Sequence, residues 1–202
     1  MTKIKFCGLT RPADIEAANR LRPDYIGFVF APRSRRFLAL SDAKELKKRL
    51  HPSIRAVGVF VNEEISVAAG IAEEGTIDVI QLHGGEDTAY IRALKRHTSK
   101  PVIQAFCIRS SEDILRAEKS EADMILLDAG AGEGRVFDWD LIESVHRPYF
   151  LAGGLNEVNA GEAVHRLKPY ALDVSSGIET QGKKDEKKMA AFLAAVRDDS
   201  YS

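Results

Sequence analysis

Several side chains in this sequence are of types that move protons or hold anions, and their chemistry depends on what surrounds them. Cys7 stands just before Gly8. An unpaired cysteine packs as a small apolar group unless a nearby cation or helix N-terminus lowers its pKa and makes it a base. Asp128 closes the apolar run Met124-Ile125-Leu126-Leu127 and precedes a glycine-rich loop over 129–136, flexible enough to close over a ligand. A carboxyl group at an apolar mouth suits a general acid, because desolvation raises its pKa; the alternative is a turn-forming aspartate. His83 reads as a structural imidazole slightly ahead of a catalytic one. Cys107, inside Phe106-Cys107-Ile108, reads as core.

Two segments can bind an anion through backbone groups. Ala152-Gly153-Gly154-Leu155-Asn156 and Asp173-Val174-Ser175-Ser176-Gly177 expose N–H groups with little Cβ obstruction. Asn156 is placed to cap the helix that follows, whose positive dipole end then adds to a phosphate cradle. Arg33, Arg35 and Arg36 are either surface charge or, for one that turns inward, a planar fork for a carboxylate.

The elements that must position these residues recur. Apolar, β-rich runs span Ile4–Cys7, Tyr25–Phe30, Ala56–Val61, Val79–Leu82, Val102–Phe106, Met124–Leu127, Tyr149–Ala152 and Ala171–Val174. They are continuously apolar, as strands covered on both faces of a parallel sheet must be. Between them lie amphipathic helical patterns such as Met189/Phe192/Leu193/Val196 and Val158/Ala163/Leu167, with a weak one around Leu141 and Ile142. The charged run over 182–188 reads as a solvated loop entering the last helix. Eight strand-plus-helix repeats predict an α/β fold, a single (β/α)8 TIM barrel of parallel strands over residues 1–202. In such barrels the chemistry sits at the strand C-terminal ends. That places Cys7, Arg36, Asn62, Gln81, His83, Cys107, Asp128, Gly153, Gly154, Ser175, Ser176 and Gly177 on one rim.

The totals narrow the partner. The chain has 202 residues, with Lys+Arg 29 against Asp+Glu 30 and a formal net charge of −1, so no basic field favours nucleic acid or an anionic membrane. No apolar run approaches the roughly 20 residues of a membrane span. Two cysteines without metal-ligand spacing fit a reducing, cytoplasmic setting and no bound metal. A small molecule is the expected partner, with monomer and homodimer both open.

With these residues in hand, the sequence resembles the phosphoribosylanthranilate isomerase family of tryptophan biosynthesis along essentially its whole length. The matching segments, in order, include Lys5-Phe6-Cys7-Gly8-Leu9-Thr10, Ser34-Arg35-Arg36, Gly58-Val59-Phe60-Val61-Asn62, Gln81-Leu82-His83-Gly84, Leu126-Leu127-Asp128, Phe137-Asp138-Trp139, Ala152-Gly153-Gly154-Leu155 and Asp173-Val174-Ser175-Ser176-Gly177-Ile178-Glu179. The resemblance implies an Amadori rearrangement of a phosphoribosyl substrate with no metal or organic cofactor. Cys7 would be the general base, Asp128 the general acid, and Arg36 a neighbour of the anthranilate carboxylate. His83, Gly153, Gly154, Asp173, Ser175, Ser176 and Gly177 complete the expected substrate-binding set. The competing readings are another phosphosugar isomerase, against which Cys7 discriminates, and a noncatalytic phosphate-binding barrel, against which Cys7, Asp128 and Arg36 together argue.

Overall fold

A strand with no polar face must be covered on both sides, and the computed structural model, which describes residues 1–128 and 139–197, covers every one of the predicted runs. β1 (Lys3–Cys7), β2 (Tyr25–Val29), β3 (Arg55–Phe60), β4 (Val79–Leu82), β5 (Val102–Cys107), β6 (Met124–Asp128), β7 (Tyr149–Ala152) and β8 (Ala171–Val174) pair in chain order, all in parallel. β1 also pairs with β8, which closes the (β/α)8 barrel. The helices α1 (Pro12–Leu21), α2 (Leu40–Arg49), α3 (Ile65–Glu73), α4 (Thr88–Leu94), α5 (Ser111–Glu118), α6 (Ala160–Leu167) and α7 (Glu186–Arg197) form the outer ring. After β6 the weak apolar pattern forms a 3-10 helix, Trp139–Ser144. The loop over 129–136, read above as a closing segment, and Phe137-Asp138 lie outside the described residues. Among the described residues, no helix is long and apolar enough to cross a membrane.

Alternation along each strand sorts side chains between shell and lumen. Phe6, Phe28, Ile80, Ile125, Leu151 and Leu172 face the helices as part of one cluster, and Tyr25, Val57, Val79, Ile103, Leu126 and Phe150 fill the barrel as another. At the N-terminal end the Tyr25 and Phe150 rings meet edge to face at 5.5 Å, and the Tyr25 and Tyr170 hydroxyls are 3.0 Å apart. This aromatic plug closes the lumen below.

Two expectations fail here. The charged run over 182–188 is not a plain solvated loop. Glu179–Thr180 (β9) and Lys183–Lys184 (β10) form a hairpin, turned by Gln181 and Gly182 at φ 52° and 75°, the left-handed pair that a two-residue hairpin turn demands. Lys184 is thereby buried. Asn156 does not cap the helix after β7. α6 starts at Ala160 behind Asn159, while Asn156 Oδ1 accepts from the Val158 and Asn159 N–H groups in a preceding turn, and Val158 is exposed.

The N-terminal rim carries a repeated device. Asp24, Asp78 and Asp123 stand just before β2, β4 and β6, and each carboxylate accepts a backbone N–H from the preceding strand: Ile4 at 3.0 Å, Ala56 at 2.8 Å and Val102 at 2.8 Å. Ala56 is fully buried, so Asp78→Ala leaves an enclosed N–H without its acceptor. The expected loss is about 1–3 kcal/mol of unfolding free energy. Urea unfolding of both proteins measures it, with an unchanged near-ultraviolet dichroism spectrum expected, since this rim stabilises and the opposite one holds the cavity.

Candidate active site

At the C-terminal ends of the strands a cavity of about 390 Å³ opens. Cys7 reaches it from β1, Arg36 from the segment after β2, His83 from the segment after β4 and Asp128 from β6. Gly153 and Gly154 follow β7, and Asp173, Ser175 and Ser176 belong to β8 and its exit. Of the sequence-predicted set, Gly177 alone stands behind the lining, packed so closely on the loop after β7 that a Cβ there would sit 1.9 Å from the Leu155 carbonyl oxygen. Gly153 and Gly154 have φ of 98° and 65°, a backbone that side chains with a Cβ resist. Cys107 corrects an expectation: it is exposed rather than core, because it is the last residue of β5, at the rim beside Asp128. Arg33 and Arg35 are surface charge, and only Arg36 turns in.

Beneath Cys7 lies a charge that the alternation of β1 carries inward. Lys5 is fully buried, and its Nζ lies 3.0 Å from both carboxylate oxygens of Asp173. Burial alone would lower the Lys5 pKa, but Asp173 and Cys7 outweigh it and the group stays cationic. Lys5 Nζ and the Cys7 sulfur both border Gly27, so charge on one acts on the other. Burial pushes the Cys7 thiol up, and the opposing pull of Lys5, with a weaker one from Lys184, does not cancel it. Arg36 is coupled to the thiol as well, since charge on Cys7 raises the Arg36 pKa.

Arg36 is committed on one edge. Its Nε and Nη2 donate to Glu179 Oε1 and Oε2 at 2.6 and 2.9 Å. Its methylenes lie across Gly8, where a Cβ would come within 2.3 Å of Arg36 Cδ. This explains the glycine after Cys7. Lys184 Nζ donates to Glu179 Oε1 at 2.7 Å and to the Ser175 carbonyl at 2.9 Å. Burial would lift Glu179, but hydrogen bonds from Arg36 and Lys184 hold its carboxyl down at about 2. The Nη1 side of Arg36 is thus the part of the fork aimed away from Glu179, fixed in direction by a bidentate partner.

His83 and Asp128 face each other across the rim, His83 Nε2 lying 3.4 Å from Asp128 Oδ2. The His83 backbone donates to the Phe60 carbonyl at 2.8 Å. Glu86 ties the loop down by accepting from the Gly84 and Asn62 N–H groups at 2.8 and 2.6 Å. Among the described residues, no group of three or more His, Cys, Asp or Glu is placed to hold a metal.

Lys5, Glu179 and Lys184 escaped the reading of the residues. Lys5 carried a usable signal: a lysine two residues before Cys7 inside an apolar strand shares its face, and a charge there needs a buried partner. Glu179 and Lys184 gave none, since only the hairpin brings them under Arg36.

Comparison with known proteins sets this geometry in a family. A family model described as N-(5'phosphoribosyl)anthranilate (PRA) isomerase matches residues 4–195. A protein of Endomicrobium trichonymphae named N-(5'-phosphoribosyl)anthranilate isomerase is 43% identical over 202 residues, taking in 98% of this chain and 99% of its own. The crystal structure of phosphoribosyl anthranilate isomerase from Thermotoga maritima superposes with a TM-score of 0.90 at 35% identity, covering 98% of this chain and 99% of that one. A second, of phosphoribosyl anthranilate isomerase in complex with reduced 1-(o-carboxyphenylamino)-1-deoxyribulose 5-phosphate, gives 0.87 at 34% identity with the same coverage.

The Glu179 carboxylate has a measurable signature. Its folded pKa of about 2 lies below the roughly 4.3 of an unfolded chain. The stability it contributes is therefore complete above about pH 4.5 and disappears as the pH falls toward 2. Denaturant unfolding of the wild type and Glu179→Gln between pH 6 and 2.5 should show a stability gap that narrows steadily on acidification. A gap independent of pH would mean that Glu179 is not held as a carboxylate.

Proposed function

Because the chain belongs to the N-(5'-phosphoribosyl)anthranilate isomerase family, we infer that this cavity carries out the Amadori rearrangement of N-(5'-phosphoribosyl)anthranilate to 1-(2-carboxyphenylamino)-1-deoxyribulose 5-phosphate, a step of tryptophan biosynthesis. The observation that carries the assignment of roles is the convergence of Cys7, Asp128, Arg36 and the two glycine-containing loops on one cavity of about 390 Å³. The substrate has an anion at each end, and the cavity has two anion-binding features. The loops at Gly153-Gly154 and Ser176-Gly177 take the phosphate through backbone N–H groups, and Arg36 takes the anthranilate carboxylate. The reading places the reaction in the cytoplasm, where unpaired thiols stay reduced, and has the chain act as a monomer or homodimer.

The reacting sugar then lies between acid and base. Asp128 gives its proton to the furanose ring oxygen as the C1′–O bond breaks, and the anthranilate nitrogen lone pair forms the C1′=N bond of a Schiff base. Cys7 thiolate removes the C2′ proton, the C–H electrons form C1′=C2′, and the C=N electrons return to nitrogen. The resulting enolamine takes a proton at C1′ and loses the one on the C2′ hydroxyl, which yields the ketone. The thiol proton must leave before the base step, and Lys5 beneath the sulfur stabilises the charge that this creates.

Removing a general acid or base costs about 10²–10⁴-fold. Cys7→Ser and Asp128→Asn are therefore expected to lose kcat far more than they raise KM in a fluorescence assay with freshly generated substrate. Cys107→Ser should match the wild type. A Cys7→Ser enzyme with near wild-type kcat would remove Cys7 from the base role. For the phosphate cradle, Gly177→Ala should raise KM, because its Cβ would drive the two loops apart. Gly154→Ala, where a Cβ meets open space, should carry mainly the backbone cost of φ 65°, about 1 kcal/mol. Unchanged KM in Gly177→Ala would end that assignment.

A further inference from the structure

Gln81 is out of character with its layer of the barrel. It points inward from β4, its Cα partners on the neighbouring strands are Val59 and Ile103, and it is 1% exposed. Its Oε1 is the buried side-chain atom that lacks a hydrogen-bond partner among the described residues. Leaving such an acceptor unpaired is unfavourable, and an apolar residue like its neighbours would avoid it. What the glutamine does have is at its other end: Nε2 lies 3.0 Å from His83 Nδ1.

That contact decides where the imidazole carries its proton. An amide nitrogen can only donate, so His83 Nδ1 must accept, and the neutral ring then holds its hydrogen on Nε2. His83 Nε2 is the atom that faces Asp128 Oδ2 at 3.4 Å. The backbone of His83 is already fixed by Phe60 and by the Glu86 clasp on the next residue, which leaves ring orientation and tautomer for Gln81 to set. We propose that Gln81 is a positioning residue for the acid step: it holds His83 as the Nε2–H tautomer, and His83 thereby gives Asp128 a donor that stabilises the carboxylate left when its proton goes to the ring oxygen. This rests on the reading of Asp128 as the general acid. In that reading the donor strengthens with the negative charge on Asp128, so its benefit falls on the transition state rather than on substrate binding.

The test has two arms. In the folded wild type with ¹⁵N-labelled histidine, the His83 resonances should be those of the neutral Nε2–H tautomer; an Nδ1–H tautomer overturns the proposal whatever any variant does. Gln81→Met, close in shape and without the donor, should give a mixed tautomer pattern and a kcat lower by roughly tenfold, the rate equivalent of one hydrogen bond to a charged group, with KM little changed. Because Gln81 acts through Asp128, Gln81→Met placed on Asp128→Asn should cause no further loss. An equal loss in both backgrounds overturns the proposal in favour of a packing role. Failure of the underlying reading looks different: Asp128→Asn alone would then keep its kcat.

Discussion

The ion pair between Lys5 and Asp173 is the contact on which the rest of this molecule is arranged. The two residues are cross-strand neighbours at the seam where β1 meets β8, with side chains 0% and 7% exposed. Neither charge is tolerable there without the other, and breaking a buried pair by removing one partner costs about 3–5 kcal/mol. Above the pair, Ser175 Oγ donates to the Cys7 carbonyl at 3.1 Å, so the seam continues upward into the rim. Below it the aromatic plug closes the lumen. The pair is therefore both the join of the barrel and the floor of the cavity.

The same logic runs outward through the rim. Lys5, Lys184 and Arg36 face Asp173 and Glu179, and every one of these five is engaged by another. A site for a doubly anionic ligand needs positive charge, but unpaired cations inside a protein are costly. Here each cation is held by a carboxylate, and Arg36, the one of the three that lines the cavity, keeps its Nη1 side away from that partner. The thiol feels the result. Burial raises Cys7 and the cations lower it, so the charge that an arriving anion adds or neutralises bears directly on how readily that proton leaves.

The strands were legible because the eight runs are predominantly apolar, and their spacing left little choice of topology. Cys7, Arg36, Asp128 and the two glycine loops were legible because a barrel of known direction puts strand ends on one rim. Four features were not. Cys107 has a core-like neighbourhood in sequence, yet exposure at a strand's last residue depends on where the rim falls. Lys184 belongs to a run of charges that looks solvated, and only a two-residue turn folds it under. Asn156 has the chemistry of a cap but stands a turn too early. The charge on the Cys7 sulfur depends on the balance of burial against Lys5, which no spacing encodes.

The aspartate clasps of the lower rim have a consequence for assembly. They join residues 20, 22 and 21 apart, while the seam joins residues 168 apart. The ratio is about eight, three doublings of loop length, so closing the seam costs about 2 kcal/mol more chain entropy than fastening a clasp. Strand pairs one-two, three-four and five-six are stitched locally, and β7 with β8 has Tyr170 rather than an aspartate at the corresponding position; its carbonyl accepts the Lys3 N–H. The ring is thus three self-fastened modules and a fourth that is secured against β1. Cys7 lies on one lip of that last join and Asp173 with Ser175 on the other, so both lips of the site come together only when the first and last strands of the barrel meet.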